Sequence, residues 1–193
     1  MCAILLTAIP GDNLVTELLS TSAALWGHMS IGLAKEHPKL NFVVQDLPDF
    51  IAAGQQALPP DLKDRISFQA HDFFAPQPIQ ADVYFLRFIL HDYLDTHATT
   101  IIKNILPTFK PNSKLVIMDG VLPEPGSMPR SHERQIRLVD LEMLTNYNAK
   151  DRELGDWRNL FERANPRLKI TKVVNPPGIV NSIIEATLEG TQL

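Results

Sequence analysis

Short apolar runs alternate along the chain with segments of helical period, and this alternation is typical of a parallel α/β sheet. Between Lys114 and Asp119 four apolar residues stand in a row, which suits a strand that is buried on both faces. Three other short runs rich in β-branched or aromatic residues are also predicted strands. The predicted parallel strands are residues 41–45, 66–70, 82–88 and 114–119.

Segments of helical period fill the spaces between these strands. The predicted helices cover residues 28–37, 95–109, 131–146 and 155–164. In the second of them Ile101, Ile102 and Ile105 fall on one face, and Pro107 predicts an early or kinked end. Ser131 is the residue that we expect to cap the third helix.

The chain finishes with two further predicted strands, residues 168–174 and 182–188. The link at residues 175–178 is too short to hold a crossover helix, so this last pair is predicted to be antiparallel. The fold class that follows is α/β, with a Rossmann-like, doubly wound and mostly parallel sheet that ends in an antiparallel hairpin.

The first residues fit this scheme less well. Residues 1–10 are apolar, but no basic residue precedes the run and it is too brief to span a bilayer, so a signal peptide is disfavoured. Residues 14–24 (LVTELLSTSAA) are predicted to be a helix, where a sheet of this kind needs its first strand. An alternative places a substitute central strand at residues 3–9, with Gly11 at its exit.

Composition narrows the possible functions. A chain of 193 residues has room for one good-sized domain, and a net charge of −4 does not indicate a nucleic-acid or anionic-membrane partner. Cys2 is the single cysteine, which excludes an internal disulfide framework and a cysteine-rich zinc site. The histidines lack partners at metal-ligand spacing, so no metal site is predicted. We expect a cytoplasmic protein.

Polar residues gather at or just beyond the ends of the predicted strands, at Asp46, Asp72, His91 and Asp119. Ligands of doubly wound sheets bind outside the carboxyl ends of the strands, so these four side chains are predicted to line one binding edge. The alternative is that they are ordinary turn residues and helix caps, since Asp is common in such positions.

Three longer runs carry a resemblance to a known family. They are residues 85–126 (FLRFILHDYLDTHATTIIKNILPTFKPNSKLVIMDGVLPEPG), 28–48 (HMSIGLAKEHPKLNFVVQDLP) and 140–161 (DLEMLTNYNAKDRELGDWRNLF). In order and spacing they resemble the class I S-adenosylmethionine-dependent O-methyltransferases of plant and fungal secondary metabolism. The resemblance covers the chain from about Gly27 to its C-terminus.

The resemblance implies a set of cofactor-binding residues. Asp46 would accept hydrogen bonds from the ribose hydroxyls, for which a carboxylate is suited. Asp72 would accept from the adenine amine while Phe73 covers the adenine ring. Arg87 would lie near the far end of the cofactor, and Gly27 would be the surviving residue of a glycine-rich loop.

The resemblance also implies that His91 is the general base, with Asp119 and Asp151 as the acids that flank and orient it. Methyl transfer from a sulfonium needs a nucleophile, and a phenol with a pKa near 10 is a poor one at pH 7. Neutral imidazole can take the proton as the new bond forms. The family commonly has Glu at the two flanking positions, where this chain has the shorter Asp.

Two departures from the family pattern leave alternatives open. In the residues before His28 only Gly27 remains of the glycine run, and the chain is too short for the family's N-terminal dimerisation domain. We expect an atypical N-terminal segment at residues 1–26 and a methyltransferase-like catalytic domain at 27–193. The main hypothesis is an O-methyltransferase acting on a phenolic or enolic small molecule. The alternatives are an inactive, truncated or scaffolding homologue, paired with itself or with an intact relative, and a cyclase built on the same fold.

Overall fold

The computed structural model describes residues 14–18, 28–176, 179 and 181–190. An eight-stranded sheet runs through them in the order β3-β2-β1-β4-β5-β8-β7, with β6 paired to β5 off this path. The strands are β1 Leu14–Leu18, β2 Asn41–Asp46, β3 Ile66–Ala70, β4 Val83–Arg87, β5 Lys114–Leu122, β6 Arg152–Glu153, β7 Leu168–Val174 and β8 Asn181–Leu188. Strands β1 to β5 pair in parallel, and β8 is antiparallel to both β5 and β7. The predicted fold class is therefore confirmed.

Five α-helices accompany the strands within the described residues. They are α1 His28–Glu36, α2 Pro48–Ala57, α3 Asp95–Ile105, α4 Arg130–Tyr147 and α5 Leu154–Ala164. Short 3₁₀ turns lie at Pro60–Leu62, Leu90–Asp92 and Leu106–Thr108. None of the helices in this part of the chain is long and apolar enough to cross a membrane.

Strands β4 and β5 are buried on both faces, as their continuous apolar runs predict. On one face Tyr84 and Leu86 pack with residues of α3 and α5, among them the fully buried Trp157. On the other face Val83 and Phe85 pack with β2 and α1. With helices packed on both faces, these two strands form the buried centre of the fold.

The prediction of a helix from residue 14 is wrong. Leu14–Leu18 forms β1, a central strand that pairs in parallel with β2 on one side and β4 on the other. Pairing on both sides overrides the weak local preference of this segment. The alternative strand at residues 3–9 lies outside the described residues, as does the rest of the predicted helix beyond Leu18.

Other differences concern the ends of elements. Helix α4 begins at Arg130 after Pro129 and has no side-chain cap, so the expected role of Ser131 is wrong. Helix α3 ends at Ile105, and Pro107 lies in the 3₁₀ turn that follows, in agreement with the expected early end. Strand β5 continues to Leu122, which places Asp119 inside the strand.

Helix α2 was not predicted. It begins at Pro48, a residue suited to the first turn of a helix, and buries Ile51 and Gly54. A Cβ at Gly54 would lie 2.5 Å from the ring of Phe68, so the missing side chain lets α2 approach β3 closely. Helix α4 differs from α2 in that several large apolar side chains are about half exposed: Leu138, Leu141, Leu144 and Tyr147.

Candidate active site

The parallel strands bring their carboxyl ends to one edge of the sheet. Asp46 is the last residue of β2, Asp72 follows β3, and His91 lies in the 3₁₀ turn that follows β4. The backbone joins the first two strand ends, since the His71 N–H donates to the Asp46 carbonyl at 2.9 Å. The structure therefore places these three residues along one edge. We name its two parts after their predicted roles, the base end around His91 and the cofactor end around Asp46.

His91 lies among carboxylates. Its Nδ1 is 3.7 Å from Asp151 Oδ1, and its Nε2 is 3.5 Å from Asp92 Oδ1. Only 12% of the His91 side chain is exposed. Burial alone would lower the pKa of His91, but the neighbouring Asp151, Asp119 and Asp92 outweigh it and raise the pKa above the ordinary value.

Asp119 is fully buried beneath His91. Its Oδ2 accepts a hydrogen bond from the Leu90 N–H at 3.1 Å, while Oδ1 has no hydrogen-bond partner among the described residues. Burial raises the pKa of Asp119 to about 7, although the His91 charge acts in the opposite direction. The charges of Asp119 and His91 therefore interact in this buried site.

Asp151 reaches the site from the start of β6, where it is 3% exposed. Its N–H donates to Asp140 Oδ1 of α4 at 2.9 Å, which fixes the backbone of the acid. Its carboxylate lies against Gly120 of β5, where a Cβ would be 2.8 Å from Asp151 Oδ1. A side chain at position 120 would therefore displace the Asp151 carboxylate or the strand.

Asp46 dominates the cofactor end. It is 5% exposed, and its Oδ1 accepts a hydrogen bond from the next residue, the Leu47 N–H, at 2.7 Å. Burial raises the pKa of Asp46 to about 6, against the effect of that N–H. Because one carboxylate oxygen is bonded locally, the other remains suited to accept from a vicinal diol such as a ribose.

The other predicted cofactor residues have more varied positions. Asp72 is exposed and accepts a hydrogen bond from the Phe74 N–H at 2.9 Å. The Phe73 ring packs on the core and meets Tyr93 edge-on at 5.8 Å, while Phe74 is the more exposed of the two rings. The Arg87 guanidinium lies 4.2 Å over the ring of Phe88. Gly27 lies outside the described residues.

Sequence reasoning missed Phe88 and Arg152. Phe88 has φ 54°, a left-handed conformation that is strained for a bulky residue, and its ring stacks on His91 at 5.7 Å. Arg152 is 0% exposed and bonds to the turn that carries His91. Neither has a local sequence signal, because both roles depend on contacts made only in the folded chain.

Two other kinds of site, a metal site and a second cavity, were considered among the described residues. No group of three or more His, Cys, Asp or Glu residues among them is placed to hold a metal ion. A surface cavity of about 380 Å³ lies at the opposite end of β5, lined in part by Lys110, Ser113 and Glu189. It is remote from the carboxyl ends of the strands, where a doubly wound sheet binds its ligand.

Comparison with known proteins gives a consistent result. A family model described as an O-methyltransferase domain matches residues 26–165. The chain is 46% identical to the O-methyltransferase pgmB of Aspergillus terreus over 94% of this chain and 51% of that protein. It is 38% identical to the grayanic acid biosynthesis cluster O-methyltransferase of Cladonia grayi over 92% of this chain and 40% of that protein. The chain thus spans about half, or less, of the length of these curated relatives.

Solved structures share the fold. LepI, in a complex with S-adenosylmethionine, superposes with a TM-score of 0.79 at 29% identity, over 97% of this chain and 46% of that one. The cofactor that the sequence predicted is thereby confirmed for proteins of this fold. The sequence resemblance is also confirmed. Since the family match extends over β2 to β6 and includes His91, Asp119 and Asp151, the chain belongs to the O-methyltransferase family.

Proposed function

We propose that this chain is the catalytic part of an S-adenosylmethionine-dependent O-methyltransferase of fungal secondary metabolism, acting on a phenolic or enolic hydroxyl of a small molecule. The observation that carries the proposal is the position of the His91 ring, 3.7 Å from the buried carboxylate of Asp151 and in electrostatic interaction with the buried Asp119. The names of the relatives support the reaction and the metabolic setting.

The base chemistry follows from this cluster. Bound S-adenosylmethionine would supply an electrophilic methyl group from its sulfonium, with cleavage of the sulfur–methyl bond and release of S-adenosylhomocysteine. Nε2 of His91 takes the proton of the acceptor hydroxyl as the oxygen–methyl bond forms, while Nδ1 faces Asp151. The positive imidazolium that results is stabilised by Asp151 and Asp119, which both lie in a region from which water is largely excluded.

The same cluster predicts a pH dependence. His91 must be neutral to accept the proton, and its neighbours raise its pKa above the ordinary histidine value of 6.5. The rate should therefore rise with pH as His91 loses its proton and reach a plateau above that raised pKa.

The cofactor end supports binding of the nucleoside. Asp46 would accept from the ribose hydroxyls, Asp72 from the adenine amine, and Phe73 would contribute an aromatic surface beside the adenine. Arg87 at the end of β4 would lie toward the methionine part of the cofactor. Gly27 would allow close approach of the backbone.

A calorimetric titration of the chain with S-adenosylhomocysteine tests the proposal, with adenosine as the control ligand. We expect saturable heat with the first ligand and much weaker binding of the second. A methyl-transfer assay against a panel of phenols then follows the gain of one methyl group by mass spectrometry. The absence of heat at millimolar ligand would overturn the proposal.

The alternative functions give different results in the same assays. An inactive, scaffolding homologue would transfer no methyl group, whether or not it binds the cofactor. A cyclase built on this fold would convert its substrate to an isomer of unchanged mass. Homodimerisation, or pairing with an intact relative, is measured separately by analytical ultracentrifugation of the chain alone and in mixtures.

A further inference from the structure

Arg152 is among the largest fully buried side chains of the described residues. Its Nη1 donates to the Leu90 carbonyl at 2.7 Å, its Nη2 to the Tyr93 carbonyl at 2.8 Å, and its Nε to Asp95 Oδ1 at 3.0 Å. The Trp157 ring lies 5.3 Å from the guanidinium carbon. One side chain thus holds three acceptors on the segment from residue 90 to residue 95.

The two carbonyl groups that Arg152 binds lie on either side of His91. Leu90 precedes and Tyr93 follows the pair His91 and Asp92, so Arg152 is hydrogen-bonded to both ends of the 3₁₀ turn. The Leu90 N–H donates in addition to Asp119. The turn is therefore fixed to β5 through Asp119 and to β6 through Arg152.

The backbone conformation of Phe88, just before the turn, indicates why the turn needs these hydrogen bonds. Phe88 holds φ 54°, a conformation that is rare and unfavourable for a bulky side chain. Backbone strain of this kind persists only where surrounding contacts fix it. Without an anchor after residue 88, the segment that carries His91 would be free to relax.

We propose that Arg152 is a positioning residue that holds the turn of His91 against Asp119 and Asp151, and so fixes the geometry of the base. The inference deepens the proposed function and rests on His91 acting as the base. Arg152 follows Asp151 directly in the sequence, so two adjacent residues at the beginning of β6 supply the acid that faces the imidazole and the cation that holds its backbone.

A guanidinium suits this role better than an ammonium. Its planar fork presents donors in several fixed directions, which matches two carbonyls and a carboxylate at once. A lysine at position 152 would keep the charge but would present it as a compact point charge on a flexible stem. Charge and geometry can therefore be separated by substitution.

The test is an NMR titration of the His91 imidazole in the isotope-labelled chain. The charged groups that face this ring are Asp92 of its own turn, Asp119 of β5 and Asp151 beside β6, with Arg152 behind the turn. Removal of the Arg152 charge alone would raise the pKa of His91. Release of the turn would take the ring away from the acids and lower the pKa toward 6.5.

The expected result is a fall in the His91 pKa in Arg152→Met and a smaller fall in Arg152→Lys. The matched control is Arg163→Met, which removes a 63% exposed cation that lies 3.5 Å from the same Asp95. It makes none of the carbonyl contacts described for Arg152, so the His91 pKa should not change. The affinity for S-adenosylhomocysteine should stay within about twofold in Arg152→Lys, a difference of less than 0.5 kcal/mol.

Two outcomes overturn the inference. One is an unchanged or raised His91 pKa in Arg152→Met together with a lower melting temperature, which would assign a purely structural role. If Arg152→Met does not fold, Arg152→Lys keeps the charge and loses the planar fork of donors, and an unchanged His91 pKa there has the same meaning. Failure of the proposed function is seen separately. In that case the unmodified chain gives no heat with S-adenosylhomocysteine, although the His91 pKa still falls in the Arg152 variants.

Discussion

The base end and the cofactor end of the sheet edge are held in different ways. At the base end the anchors come from distant parts of the chain: Arg152 bonds to the Leu90 carbonyl, and Asp119 accepts from the Leu90 N–H. At the cofactor end Asp46 bonds to the next residue, and Asp72 bonds to the N–H of Phe74, two residues along. The side-chain bonds of the first end reach across the fold, whereas the carboxylates of the second end accept bonds from their own turns.

Under the proposed function, this difference corresponds to separate roles for the two ends, proton transfer at one and ligand binding at the other. Cross-linked groups that are buried and already oriented need little rearrangement when charge develops, which favours proton transfer. Carboxylates with only local bonds keep acceptor capacity for a ligand. Substitutions at the base end should therefore change the rate and its pH dependence, and those at the cofactor end should change affinity.

The sharpest way to separate the two ends is His91→Asn. Loss of a general base should lower the rate of methyl transfer by about 10²–10⁴-fold, because the amide cannot take the proton. Affinity for S-adenosylhomocysteine should not change, since Asp46 and Asp72 are untouched. Initial rates at saturating cofactor, with calorimetry on the same sample, check both statements. A variant that keeps most of its rate would place the base elsewhere.

The converse test is Asp46→Ala. Loss of charge-assisted hydrogen bonds to the ribose, worth about 1.5–3 kcal/mol, should weaken S-adenosylhomocysteine binding by about 10–100-fold. The His91 titration should stay as in the unmodified chain. Asp64→Ala, which removes an exposed carboxylate on the loop before β3, is the control and should bind normally. Equal affinities in the two variants would remove Asp46 from the cofactor site.

Gly120→Ala tests how tightly the base end is packed. The added Cβ would lie 2.8 Å from Asp151 Oδ1, so the carboxylate or the strand must move. We expect the free energy of unfolding to fall by about 1–3 kcal/mol, as in other overpacked sites. Gly155→Ala in α5, where no atom lies within 4 Å of the added Cβ, should instead stabilise by about 0.5–1 kcal/mol. Denaturant unfolding measures both, and similar values would contradict the close packing.

Asp119→Asn gives a smaller, pH-dependent effect. In the folded chain burial raises the pKa of Asp119 to about 7 from 3.8, so the folded state keeps a proton that the unfolded state loses. This group therefore contributes less stability as pH rises from 4 to 7. The variant has no such ionisation, and its stability relative to the unmodified chain should rise by on the order of 1–2 kcal/mol between pH 6 and pH 8. A difference that does not vary with pH would show that Asp119 titrates normally.

Much of this architecture could be predicted because its signals are local. The apolar runs of β4 and β5 and the short link before β8 lead directly to the sheet and its final hairpin. Strand β1 was missed because its identity comes from pairing with β2 and β4 rather than from its own residues. In α2 the residues Ala52, Ala53 and Gly54 give little periodic signal, and the close packing on Phe68 appears only in three dimensions.

The site divides in the same way. Asp46, His91 and Asp119 could be placed on one edge because each lies near the end of a predicted strand. The complete burial of Asp119 could not be predicted, because β5 continues past this residue to Leu122. Arg152 had no sequence signal, because the two carbonyl groups that it binds lie 59 and 62 residues away. Phe88 had none because only its backbone angle is unusual.

The hydrogen bonds of Arg152 to residues distant in the sequence also have a consequence for how the chain folds. Its bonds to Leu90 and Tyr93 close loops of 62 and 59 residues, whereas Leu90 and Asp119 are 29 residues apart. Closing the longer loops costs more chain entropy, so we expect the β4–β5 contact to form first and the Arg152 contact later. During synthesis the hydrogen bonds that hold the His91 turn cannot form until β6 has left the ribosome. The proposed base would therefore reach its final geometry late in folding, and local opening of β6 should be enough to disturb that geometry.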